Sequence, residues 1–202
     1  MTYKLTYFNI RGKAEPIRFI LAYSGIDYED NRIDPSTWLS LKPNAPFGQL
    51  PLLEIDGKVL NQSMAICRYL AKKAGLLGSD DWESLLVDIA VDNIGDFLQD
   101  FRVHWLPDTD PSKATKYNTL INESIPFYID KFEQIVKNNN GYFVNGKLTW
   151  PDLFFVSLLD TLKFVAKKDF LEDKPNLNAL VDKVLSLPRI KTWTEKRPKT
   201  DC

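Results

Sequence analysis

The sequence predicts an α/β unit of βαβαββα order followed by an all-helical unit. Three observations lead to this class. Over the first 75 residues, short strand-like runs alternate with helical patterns. Two of those runs are joined by Asp56-Gly57, a strong hairpin sequence. From Trp82 onward every periodic stretch has helical spacing.

The elements follow in order. Tyr3-Lys4-Leu5-Thr6-Tyr7-Phe8 alternates and is rich in strand formers. Asn9-Ile10-Arg11-Gly12 reads as a loop. A helix begins between Lys13 and Pro16, with Ala14, Ile17, Ile20 and Leu21 at helical spacing and Gly25 at its end. Residues 27–33 form a polar strand suited to a sheet edge. Asp34-Pro35-Ser36 opens a short helix carrying Trp38, Leu39 and Leu41, which stops before Pro43. Pro51-Leu52-Leu53-Glu54-Ile55 and Lys58-Val59-Leu60-Asn61 flank the Asp-Gly turn, and a helix runs from Gln62-Ser63 to about Ala74.

Residues 75–81 are small and polar, without periodicity. The predicted domains are therefore 1–75, a linker at 76–81, and 82–202. Trp82 to about Trp105 is a long helix, and 107–112 breaks it. A second long helix runs from about Lys113 to Asn138, with a kink expected at Pro126. Thr149-Trp150-Pro151-Asp152 is a capping box, and Leu148 and Leu153 occupy the staple positions around it. The helix behind it, to about Val165, is apolar on nearly every side and should be central to its unit. Helices near 177–187 and 189–196 close the chain.

At 202 residues with 44% hydrophobic and 26% charged residues, the chain has ample core. Lys+Arg is 26 against Asp+Glu 27, a net charge of -1, which favours neither a nucleic-acid partner nor a polybasic membrane role. Two cysteines, Cys67 within a helix and Cys202 at the last position, do not make a disulfide framework. Cys202 is not a prenylation box. No run approaches the roughly 18 apolar residues of a membrane span, and MTYKLTYFNIRG lacks the apolar core of a signal peptide. The expected location is cytoplasmic.

The hairpin and the helix that follows it form one compact unit. Free N–H groups and a serine at the helix start suit a carboxylate, and the segment before the first hairpin strand offers backbone to an extended ligand. These features fit a small peptide-like ligand. Taken alone, Gln62-Ser63 is better read as a plain helix cap.

Four stretches resemble one family. YKLTYFNIRGKAEPIRFILAYSGIDYED, FGQLPLLEIDG, QSMAICRYLAKK and LTWPDLFF, in register over nearly the whole chain, resemble the cytosolic glutathione transferases, specifically the sigma class with its haematopoietic prostaglandin D synthase type. The resemblance implies a thioredoxin-like first domain, glutathione as co-substrate with no metal required, a homodimer, and a cis bond before Pro51. It implies that Tyr7 donates its hydroxyl to the glutathione sulfur. Gln62 and Ser63 would take the γ-glutamyl carboxylate, and Leu50 the peptide backbone, with Gln49 and Pro51 in the same loop. Trp38 and Lys42, four residues apart on one helix face, would take the glycyl carboxylate. Asp96 would reach the glutathione ammonium across a dimer. Phe47 is a candidate aromatic knob in that dimer.

The implied chemistry can be sized. A cysteine-like thiol has a pKa near ~8.5, and lowering it to ~6 requires about 3.4 kcal/mol. One hydrogen bond to a charged group supplies roughly 1.5–3 kcal/mol, so Lys13 or Arg11 is expected to assist Tyr7. The resemblance places a hydrophobic electrophile near Phe8, Ile10, Lys13, Phe101, Val103 and His104. Val103 stands where the prostaglandin-synthase type has a stacking tryptophan. Gly95, between Asp92 and Asp96, stands where that type has a third aspartate of an acidic cluster. The expected reaction is therefore conjugation of glutathione to varied small electrophiles, lipid-peroxidation products included. Prostaglandin isomerisation is the alternative within the family, and a crystallin-like structural protein is the alternative of another class. No redox cysteine follows the first strand, which argues against a thioredoxin-type oxidoreductase.

Overall fold

The computed structural model describes residues 1–200, so the expectations about Cys202 lie outside the described residues. These residues form two compact units. One is Met1–Leu76 joined by the described residues from Ser186 onward; the other is Leu77–Leu185.

The first unit contains β1 (Tyr3–Phe8), α1 (Glu15–Ser24), β2 (Glu29–Ile33), α2 (Pro35–Leu41), β3 (Leu52–Ile55), β4 (Lys58–Leu60) and α3 (Ser63–Lys73). The sheet order is β2-β1-β3-β4. β1 runs parallel to β2 and antiparallel to β3, and β3 antiparallel to β4. This is the predicted βαβαββα, thioredoxin-like unit. Strict alternation along β1 buries Tyr3, Leu5 and Tyr7. The polar β2 takes an edge, where one flank of a strand meets no neighbour. Asp56 and Gly57 both have positive φ (47° and 81°), as a tight two-residue hairpin turn requires.

One element lies elsewhere than the sequence suggests. The final helices are α8 (Pro175–Ser186) and α9 (Pro188–Lys196). α9 was expected to belong to the helical unit, but it packs on α1 in the first unit. The reason shows on α1, where Glu15 to Leu21 are all buried rather than a single apolar stripe. Glu15 and Arg18 can be buried because other residues of this unit, Trp193 and Arg197 among them, supply partners.

The second unit is helical throughout: α4 (Asp81–Asp100), α5 (Lys113–Thr119), α6 (Ile125–Asn138), α7 (Trp150–Ala166) and α8 up to Leu185. A 3-10 turn, Phe101–Trp105, ends α4. The Pro126 kink takes the form of a π-helical turn, Leu120–Ser124, between α5 and α6. Pro126 has no N–H to donate, and its ring crowds the carbonyl four residues back. A wider turn just ahead of it relieves both. α7 is buried almost all round. Phe97, Phe132 and Phe155 meet in near-perpendicular contacts at 5.8–5.9 Å, each pair contributing about 0.5–1.5 kcal/mol beyond its buried area. No helix among the described residues is long and apolar enough to cross a membrane.

Candidate functional site

In the first unit the predicted residues gather at the C-terminal end of β1. Tyr7 is buried there, and its hydroxyl oxygen accepts the Lys13 N–H at 3.3 Å. That bond uses a lone pair of the oxygen and not its proton. β1 and β3 pair Thr6 with Leu52, so the next step of the register sets Pro51 opposite Tyr7. The Leu50–Pro51 peptide is cis. The Phe8 ring lies 5.7 Å from the Tyr7 ring and 6.4 Å, edge-on, from the Trp38 ring. An aromatic line therefore runs from the end of β1 to α2.

α2 owes its start to Asp34, whose carboxylate accepts from the Thr37 N–H (2.8 Å), Thr37 Oγ1 (2.9 Å) and Ser36 Oγ (2.6 Å). These hydrogen bonds, Ser36's first, hold the Asp34 carboxyl well below the usual carboxylate range. The Lys42 N–H donates to the Trp38 carbonyl at the other end of the helix. The Lys42 stem passes over Gly48, where a Cβ would lie 3.5 Å from Lys42 Cγ. Lys42 is thus held beside the loop of exposed Gln49 and half-buried Leu50. Because the cap orients Trp38 and Lys42, Asp34→Ala is expected to raise KM for the ligand severalfold with little change in kcat. Steady-state kinetics checks it; an unchanged KM removes α2 from the site. The cap's contribution to stability is fully present above the unfolded carboxylate pKa of ~3.9 and is lost as pH falls through the lower folded value.

Gln62 precedes α3 with φ 70° and ψ 93°, an unusual backbone for glutamine, and its carbonyl accepts the Ile66 N–H. Its side chain is exposed, and Ser63 begins the helix. The Gln62 side chain does not cap this N-terminus, whose first N–H groups and positive dipole end suit an anion. The first-unit set predicted for the tripeptide, from Tyr7 to Ser63, therefore lies at one end of the sheet and on its flanking loops. Ile10 is half-buried in the loop after β1, and the Lys13 side chain is exposed.

The other predicted residues belong to the second unit. Asp96 and Asp92 are exposed on α4. Among the described residues no group of His, Cys, Asp and Glu could hold a metal ion. Phe101 is buried against Phe97 and Phe170, and Val103 is also buried. His104 packs between Trp105 and Phe164, and with Val103 lines a cavity of about 480 Å³ that Tyr117 and Val165 share. Burial pushes the Cys67 thiol far up, which makes it inert as a nucleophile.

Sequence reasoning missed Gly12. It has φ 43°, and a Cβ there would stand 2.8 Å from the Tyr7 hydroxyl oxygen. A glycine in the loop beside a candidate catalytic tyrosine was the available clue.

Residues 3–72 match a family model described as the glutathione S-transferase N-terminal domain, and residues 95–197 one described as the glutathione S-transferase C-terminal domain. The chain is 46% identical over 200 residues to glutathione S-transferase S1 of Drosophila melanogaster, covering 99% of this chain and 80% of that one. It is 40% identical to a hematopoietic prostaglandin D synthase of Gallus gallus, over 98% of each. A solved structure of prostaglandin synthase D of Nilaparvata lugens superposes with TM-score 0.94 at 46% identity, covering 99% of this chain and all of that one.

Proposed function

The chain belongs to the glutathione S-transferase family and is a glutathione-using transferase; from that premise we propose which residues hold glutathione and how they activate it. Tyr7 donates its hydroxyl proton in a hydrogen bond to the glutathione sulfur and stabilises the thiolate. The observation behind this is the Lys13 N–H donating to the Tyr7 oxygen at 3.3 Å. It fixes the hydroxyl and, by polarising it, strengthens the bond it makes in turn. The γ-glutamyl carboxylate lies at the start of α3, on Gln62 and Ser63. The cysteinyl backbone pairs with Leu50, beside Gln49 and Pro51, and the glycyl carboxylate meets Trp38 and Lys42.

The thiolate attacks small hydrophobic electrophiles. The residues proposed for them in the first unit are Phe8, Ile10 and Lys13. In the second unit, taken by itself, they are Phe101, Val103 and His104, where Val103 and His104 line a cavity of a size typical for small-molecule sites. Retention on immobilised glutathione followed by an aryl-halide conjugation assay tests the reading. Retention without turnover would mean a binding or structural role. The prostaglandin D synthase names of two relatives favour a second reading, glutathione-dependent isomerisation of a prostaglandin endoperoxide. A substrate panel separates the two: broad conjugation supports the first, turnover of the endoperoxide alone the second.

The sigma class, a cytoplasmic location and a homodimer complete the proposal. Phe47, at φ 53°, is 86% exposed, a costly position for an aromatic ring unless something covers it. Trp82, Leu85 and Ile89 form an exposed stripe on α4, and Asp96 lies farther along the same helix. Phe47→Ala is expected to shift sedimentation from dimer toward monomer. A variant that remains as dimeric as the parent chain would exclude Phe47 as the knob.

A further inference from the structure

Behind the loop that follows β1 lies a buried set of charges with no part in holding the tripeptide. Glu15, at 0% exposure, accepts on one oxygen from Trp193 Nε1 and Arg197 Nη1, both at 2.9 Å. Its other oxygen accepts from Arg18 Nη1 at 3.1 Å. The same Arg18 nitrogen donates to the Ile10 carbonyl at 2.9 Å and the Arg11 carbonyl at 3.3 Å. Arg18 Nε is held by Asp30, which also binds Arg32. The chain of contacts therefore runs from the last helix, through two buried charges, into the backbone of residues 10 and 11.

Those two carbonyls belong to the loop that delivers the Lys13 N–H to Tyr7, and Gly12, between Arg11 and Lys13, closely approaches the Tyr7 hydroxyl. We propose that Trp193 and Arg197 are positioning residues for thiol activation, setting the loop against Tyr7 through Glu15 and Arg18. The inference rests on the reading of Tyr7 as the thiol-activating group. The buried Arg18 guanidinium is balanced by Glu15 on Nη1 and Asp30 on Nε. If Glu15 loses two of its three donors it is free to turn, and Arg18 follows it. The carbonyls that Arg18 holds then shift, and the loop shifts with them. The residues proposed to hold the tripeptide, Trp38, Lys42, Gln49 to Pro51, Gln62 and Ser63, lie outside this loop.

The test compares Trp193→Phe, Arg197→Met and their double variant with the parent chain in full-length protein, using glutathione and an aryl halide. The double variant is expected to lose roughly 10- to 100-fold in kcat, the upper end being what a misplacement of about 1 Å can cost. KM for glutathione should stay nearly constant, and the acid limb of the pH–rate profile should move to higher pH. Arg197→Lys, which keeps a donor cation, should restore part of the loss. Trp193→Phe keeps the ring and serves if the double variant does not fold. A kcat and acid limb unchanged per folded molecule, even with a lowered melting temperature, would reduce these residues to a structural role and overturn the proposal. Tyr7→Phe is measured alongside. If it loses turnover while the Trp193 and Arg197 variants keep theirs, only this inference falls; if it keeps turnover, the reading of Tyr7 falls as well.

Discussion

Tyr7→Phe is expected to lower the rate of glutathione conjugation by roughly 10- to 100-fold near neutral pH, while affinity for glutathione changes little. The range follows from one hydrogen bond to a charged sulfur, roughly 1.5–3 kcal/mol, at about 1.36 kcal/mol for each tenfold change. Phenylalanine preserves the buried ring of β1 and its contact with Phe8, so the sheet and the loops that hold the tripeptide should persist. The acid limb of the pH–rate profile should rise toward ~8.5, the ordinary thiol value. Direct titration of bound thiolate by its ultraviolet absorbance gives the same quantity without turnover. Turnover and thiolate pKa equal to those of the parent would end the assignment. Tyr7 alone falls short of the requirement estimated above, so a residual depression of the thiol pKa in the variant would point to a second group, Lys13 or Arg11.

The largest expected stability effect belongs to Asp152. Its carboxylate, fully buried at the start of α7, accepts from the Phe143 N–H (2.8 Å), the Thr149 N–H (2.7 Å) and Thr149 Oγ1 (3.1 Å). Asp152→Ala leaves two buried backbone donors without that acceptor, at roughly 1–3 kcal/mol each. A net loss of about 3–4 kcal/mol is expected, a fall in melting temperature of roughly 10 °C for a chain of this size. Burial pushes the Asp152 carboxyl from its ordinary 3.8 up to about 6 despite these hydrogen bonds. The folded state therefore favours the protonated acid. The proton-linked part of its contribution, added to that of the hydrogen bonds, is fully present below the unfolded value and is lost as pH rises through about 6. The gap between parent and variant should accordingly be wider at pH 4 than at pH 7. Denaturant melts at the two pH values check this. A gap that widens with rising pH would contradict the burial argument, and equal stability of the two chains would remove the cap.

Much of the local structure around the candidate site was legible because its parts are local. Tyr7 could be placed at the end of a strand by alternation alone, and Asp34 and Thr149-Asp152 are helix starts written in a few adjacent residues. The identity of the ligand was not legible from periodicity. It came from four motifs in register, and the family match agrees with it. Gly12 was read as a loop residue because its significance depends on a side chain five positions back.

The sequence by itself determined the βαβαββα order, the Asp-Gly turn, the edge position of β2 and the capped, centrally buried α7. Each depends on the chemistry of neighbours along the chain, and short-range periodicity carries that information. Only the tertiary structure decided that α9 returns to the first unit and that Glu15 and Arg18 are interior charges. It also revealed that Pro126 is accommodated by a π-helical turn. Trp193 and Glu15 are separated by 178 positions. A pairing at that distance leaves no mark on local pattern, since a glutamate and an arginine three apart on a helix look the same whether solvent or another helix covers them.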